Sequence, residues 1–175
     1  QYTGRSVLNK IAAGKVFFYS RKAQEVRREE GKDPAAELAR FCQAKEAAAG
    51  QLEELAGKAA QEVGESGAQI FAAHVTILKD EDFHACITEM IEKEKVNAEY
   101  AVAAAGEHYA RMFVRMEDEY FRAREADIRD ITRRLLENLQ EEEILTEEAA
   151  GGSLPVGEEP VILAAKDLSP SDTLR

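Results

Sequence analysis

From Asp33 to about Gln140 the sequence runs almost without a break in a helical pattern, and this limits the fold more than any other feature. Asp33-Pro34 supplies an N-cap carboxylate and a proline at the first turn, which together open a helix. Leu38, Phe41, Lys45, Ala48, Leu52, Leu55 and Ala59 then recur at spacings of three and four. That spacing predicts a seam about six turns long, broken once by Lys45. "VGESG" ends it, and Ser66 with Gln69 reads as a capping box for a second helix carrying Ile70, Phe71, His74, Ile77 and Leu78. "KDED" interrupts the pattern. Asp80 can cap a third segment with Phe83, Cys86, Ile87 and Met90 or Ile91 on one face. Asn97 can cap a fourth, the Ala-rich "AVAAAGEHYARMFVRM", whose small residues suit close helix packing. A last helix, from about Glu117 to Gln140, should bury Ile128, Ile131, Leu135 and Leu139.

The flanks have a different character. "KVFFYS", after Gly14, is β-branched and aromatic and predicts a strand. "EEEILTEEAAGGSLPVGEEP" reads as a charged, Gly/Pro-punctuated linker leading to a second short strand in "VILAAKDL". Strand, helical block and strand together predict an α+β chain, mainly α. Its helical subdomain is inserted into an α/β domain, with boundaries at 1–32, 33–142 and 143–175.

Several function classes are disfavoured by composition. Among 175 residues the formal net charge is −11, opposite to the basic footprint that nucleic acid requires. A basic partner or a merely solvated surface fits better. No apolar run approaches the roughly 20 residues that span a bilayer, and no signal-peptide pattern opens the chain. Cys42 and Cys86 lie far apart, with no C-x-x-C and no histidine cluster, so they read as small hydrophobes in a reducing cytosol, and no metal site is expected. Phosphate-loop, G-x-S-x-G and H-E-x-x-H motifs are absent.

Three strings, "IFAAHVTILKDEDF", "EDEYFRAREADIRDITRRLL" and "VILAAKDLSPSDT", resemble the N-terminal part of the enzyme I family of the bacterial phosphotransferase system, the phosphoenolpyruvate–protein phosphotransferases. The resemblance runs from about Gly14 to the final residues. It implies an α/β phosphohistidine domain interrupted by a kinked four-helix bundle that docks the phosphocarrier protein HPr. It further implies phosphoryl transfer from phosphoenolpyruvate to a histidine of enzyme I and then to a histidine of HPr, in the cytoplasm, for sugar uptake. A separate C-terminal barrel of the family holds phosphoenolpyruvate and Mg²⁺; no cofactor is expected in the present chain. Two departures stand out. "SVLNKIAAGK" lacks the small-Pro-Gly turn common in relatives, and the chain stops at Arg175 before the family's phosphorylated G-G-x-T-S-H motif. An N-terminal fragment, unable by itself to accept phosphate, is therefore expected. An enzyme I paralogue serving nitrogen regulation, a multidomain phosphoryl-transfer protein, or an acidic helical adaptor acting through the Leu38–Ala59 seam are the alternatives.

A lone histidine between Ala73 and Val75 is more often structural than reactive, and the resemblance agrees that His74 is not the phosphorylated residue, placing it on a partner-facing helix. His84 and His108 lack a motif. Asp80, Glu81 and Asp82 complement a helix start and could also rim a docking surface for a basic partner. The resemblance implies that Ile77 and Phe83 enter an apolar patch of that partner, with Met112 and Phe113 on a third side. It also implies that Arg124, next to Asp127, faces the partner or the transferred phosphoryl group, where a guanidinium could offset moving charge. Arg129 and Asp130 read as internal salt links. Thr173 matches the family hydroxyl that orients the phosphorylated histidine.

Overall fold

The computed structural model describes residues 14–19, 26–30, 33–144, 161–165 and 168. Their elements are β1 (Lys15–Tyr19), α1 (Pro34–Glu62), α2 (Glu65–Leu78), α3 (Glu81–Glu94), α4 (Ala98–Val114), α5 (Glu119–Ile144) and β2 (Val161–Ala165). Two compact units result. One contains the strands, and the other contains the five helices together with residues 26–30. Both strands lie where the sequence places them. They pair in parallel, Lys15 opposite Val161 and Tyr19 opposite Ala165, although the whole helical unit separates them along the chain.

Local chemistry explains most of the helix ends. Extended backbone at Asp33 (φ −143°, ψ 106°) lets its carboxylate accept the amide of Ala35, with Pro34 in the first turn. Asp80 does the same for α3, its Oδ1 accepting the Phe83 amide at 2.9 Å. The start of α2 differs from expectation: Gly64 is the N-cap and Ser66 already lies inside the helix, so the Ser66–Gln69 box does not form. Gly64 has φ 94°, a left-handed conformation that glycine adopts without steric cost. Its amide and that of Val63 both reach Ala59 O, at 3.1 and 2.9 Å, which closes α1.

Asn97 does precede α4, but its side chain is engaged elsewhere, Oδ1 accepting the Glu29 amide at 3.0 Å. Glu37 of α1 takes over the capping role, accepting the Ala98 amide at 2.8 Å. Residues 26–30 are thereby drawn to the helices. Asn97 donates from its backbone to Glu29 O at 3.1 Å, and Glu30 bridges Val96. The sequence grouped this stretch with the first strand instead.

Phe41, Ala44, Ala48, Leu52, Leu55 and Ala59 form the buried stripe of α1. Ala44, not Lys45, supplies the second step, so the seam runs on without the expected interruption. It packs with Phe71 and Leu78 of α2, Phe83, Ile87 and Ile91 of α3, Ala101, Val102 and Ala105 of α4, and Ile131, Leu135 and Leu139 of α5. Only Lys79 and Asp80 separate α2 from α3, and their amides bond back to Val75 O and Ile77 O. Taken as one bent rod, α2 and α3 make five helices into a kinked four-helix bundle, as expected. The smallest residues of α4 meet α5, where Gly106 lies under Thr132.

Candidate functional site

The site grows from the facing surfaces of α2 and α5. Apolar neighbours Phe71 and Leu78 draw the inner face of α2 into the core, and His74, one turn from each, goes with them. Its ring is fully buried, at 0% exposure, and stands edge-on to Phe71 with centroids 5.9 Å apart. On α5, Asp127 and Asp130 are one turn apart and so share a face. Asp127 Oδ1 lies 3.0 Å from His74 Nε2, and Asp130 Oδ2 lies 3.7 Å from Nδ1. At 3.7 Å the second contact is too long for a hydrogen bond, and Nδ1 is buried without one.

Two arginines flank the aspartates. Arg124 donates to Asp127 Oδ2 at 2.8 Å, while Arg133 donates to Asp130. Burial on its own pushes the Asp127 carboxyl up, but hydrogen bonds from His74 and Arg124 outweigh it and hold the group below the usual carboxylate range. An ionised Asp127 can only accept, so His74 carries its proton on Nε2 in this contact. Arg129, expected to be internal, lies instead on the surface between Glu125 and Glu107. Asp130 is internal, but its arginine is Arg133.

The turn after α2 is built otherwise. Asp80, Glu81 and Asp82 are all exposed, while Ile77 is half-buried against the core. Phe83 corrects the docking expectation: at 1% exposure its ring is part of the core, edge-on to Tyr109 with centroids 5.3 Å apart. Residue 83 lies on the inner stripe with Ile87 and Ile91, four and eight residues on, which leaves no apolar surface for a partner to reach. Burial first, then Cys86 and the carboxylates of Asp82 and Asp80, raises the Tyr109 phenol.

Met112 is 39% exposed and Phe113 half-buried near the end of α4. His84 Nε2 donates to Leu78 O at 2.5 Å, while burial and then the charge of Lys45 lower the pKa of the ring. Thr173 lies outside the described residues. Among the described residues no group of three or more His, Cys, Asp or Glu side chains could hold a metal ion, and no helix is long and apolar enough to cross a membrane.

Sequence reasoning placed Arg124 and Asp127 together but missed that His74 joins them. The signal was present in part, since His74 interrupts an otherwise apolar stripe, yet its partners lie more than 50 residues downstream.

A helical bundle inserted along the chain between two strands that pair in parallel, with a His–Asp–Arg chain running outward from its core, defines the class. The chain belongs to the PEP-utilising enzyme N-terminal family, whose pattern matches residues 3–124. It is 41% identical over 141 residues to the phosphoenolpyruvate-protein phosphotransferase of Bacillus sp. (strain S), covering 81% of this chain and 23% of that protein. Against the protein of the same name from Bacillus subtilis (strain 168) it is 35% identical over 163 residues, 93% of this chain and 27% of that one. The chain therefore spans about a quarter of the length of these relatives. An NMR solution structure of an enzyme I protein superposes with a TM-score of 0.71 at 32% identity, over 92% of this chain and 63% of that one. A second structure, of the N-terminal domain of a nitrogen enzyme I, shares the fold (TM-score 0.70) at 23% identity, over 91% of this chain and 63% of that one.

Proposed function

We propose that this chain supplies the docking portion of a phosphoenolpyruvate–protein phosphotransferase, receiving the small phosphocarrier HPr for histidine-to-histidine phosphoryl transfer in the cytoplasm. The observation that carries the reading is the exposed acidic turn Asp80-Glu81-Asp82, joined through α2 to the Arg124–Asp127 pair. His74 lies one turn before the end of α2 at Leu78, and the acidic turn begins two residues beyond that end. A basic partner surface would meet the carboxylates first, which chiefly raises the association rate. In this reading the half-buried Ile77 and Phe113 and the exposed Met112 would supply apolar contact. Arg124, 26% exposed at the side chain, can present a guanidinium to a phosphoryl group while Asp127 holds its other edge. His74 and Phe83 support this surface from inside and do not touch the partner.

In this reading the phosphorylated histidine, phosphoenolpyruvate and Mg²⁺ belong to parts of the whole protein outside these 175 residues, and Thr173 would orient that histidine. The chain alone is then inactive: incubated with phosphoenolpyruvate, Mg²⁺ and a separate C-terminal barrel, it should acquire no phosphohistidine. Docking is tested by titrating ¹⁵N-labelled HPr with the chain. Resonances around the HPr active histidine should shift, with binding weakened by Arg124→Ala and by added salt. An unchanged HPr spectrum at sub-millimolar chain overturns the proposal.

A further inference from the structure

We propose that His74 is a positioning residue for Arg124, acting through the carboxylate of Asp127. The inference rests on the reading above, in which Arg124 meets the partner or its phosphoryl group.

Three observations carry it. First, the imidazole is immobilised. It is wholly buried, flanked by Phe71 on its own helix, and faced from α5 by Asp127 at Nε2 and by Asp130 at Nδ1, with Arg124 and Arg133 behind those aspartates. Second, Asp127 divides its two oxygens, Oδ1 to His74 and Oδ2 to Arg124. The terminal torsion of an aspartate is soft and nearly two-fold, so an unanchored carboxylate samples a wide arc. Fixing one oxygen fixes the direction from which the other receives a guanidinium. Third, hydrocarbon alone would fill the position. Phe71 and Leu78 fill the same stripe with hydrocarbon, whereas His74 places a polar ring in the core and leaves Nδ1 without a hydrogen bond. Buried polar atoms left so are costly and call for an explanation. A relay from the rigid core to a half-exposed arginine supplies one.

The test follows the Arg124 side-chain Nε–Hε resonance by NMR, alongside HPr affinity and thermal melting, in wild type, His74→Leu, His74→Asn, His74→Gln, Arg124→Ala and the double variant His74→Leu/Arg124→Ala. In His74→Leu the Arg124 signal should broaden or shift toward its value in free arginine, and Kd should rise roughly five- to tenfold. The double variant should bind no more weakly than Arg124→Ala, since both changes remove one interaction. His74→Gln, whose amide can reach Asp127, should restore signal and affinity; the shorter amide of His74→Asn should not. A wild-type Arg124 signal in His74→Leu or His74→Asn overturns the inference. Should His74→Leu not fold, the contrast between Gln and Asn decides, and equal signals in the two overturn it. If Arg124→Ala binds HPr as well as wild type, the docking reading fails alone, and the Arg124 signal still decides whether His74 positions that side chain.

Discussion

Gly106 of α4 and Thr132 of α5 approach so closely that a methyl group added at Gly106 would lie 2.2 Å from Thr132 Oγ1 and 2.6 Å from its Cγ2. Thr132 cannot easily give way, because its hydroxyl donates to Ile128 O at 2.8 Å and so fixes the rotamer. Gly106→Ala should therefore push the helices apart and cost about 1–3 kcal/mol. Gly50, in α1, has nothing within 4 Å of the same position. There the identical change should stabilise by about 0.4–1 kcal/mol. Urea midpoints of the two variants, moving in opposite directions, check both statements; a neutral Gly106→Ala would mean that the helices are less tightly apposed.

Truncating Phe83 tests its reassignment from partner contact to core. With its ring buried against Tyr109, Phe83→Ala should lower stability by about 3–5 kcal/mol. Phe83→Leu, which keeps most of the volume, should cost about 1.5 kcal/mol or less and leave HPr binding unchanged. Loss of HPr binding by a well-folded Phe83→Leu chain would return this residue to the docking surface.

Asp80 combines two tasks that separate by substitution. Asp80→Ala removes the acceptor of the Phe83 amide and should cost about 1 kcal/mol. Asp80→Asn keeps an N-cap oxygen while removing the charge, so thermal melting should be nearly unaffected. Its association with a basic partner at low salt should slow, and that difference should vanish as salt is added.

Acid sensitivity should come in two stages. His84 has its pKa lowered by burial and then by Lys45, so the unfolded chain takes up that proton first. Stability should then fall as pH drops below the ordinary histidine value of about 6.5. Asp127 has its pKa lowered despite burial, through His74 and Arg124. Its contribution is present above the ordinary aspartate value of about 3.9 and disappears as pH falls through the lower folded value. Urea midpoints across this range should show the upper stage diminished in His84→Gln and the lower one in Asp127→Asn. A profile of His84→Gln that parallels wild type would refute the first assignment.

Much of the scaffold is legible because it depends on local chemistry. Asp33-Pro34 and Asp80 announce their helices through single hydrogen bonds to nearby amides, and the β-branched runs announce the strands. Long-range choices are not encoded so openly. Lys45 and Ala44 both fit a seam of threes and fours, and burial selects the one without a charge to desolvate. Ser66 and Gln69 form a plausible box, but Gly64 can turn the chain earlier and starts the helix first. Asn97 has an N-cap side chain that Glu29 claims, while Glu37 comes from another helix to replace it. At Phe83 the sequence shows an apolar residue beside carboxylates, and a core stripe and a binding edge look alike until the opposing helix is known. The His74 cluster was half visible, since Arg124 and Asp127 are one turn apart, whereas His74 reaches them only through packing.

The parallel pairing of β1 with β2 has a consequence for synthesis on the ribosome. Lys15 must wait for Val161, roughly 145 residues later, before it gains its neighbour. At about 5–20 residues per second that interval is roughly 7–30 s, whereas local helical pairing takes far less than a second. The bundle can thus be complete while Val16 and Phe18, both exposed even in the finished pair, still await Ile162 and Ala164 of β2. Chains stalled before residue 161 should be cleaved by added protease around β1 and spared within the bundle, and release of β2 from the exit tunnel should change only the former. Among the described elements, β1 has the longest wait along the chain for its neighbour.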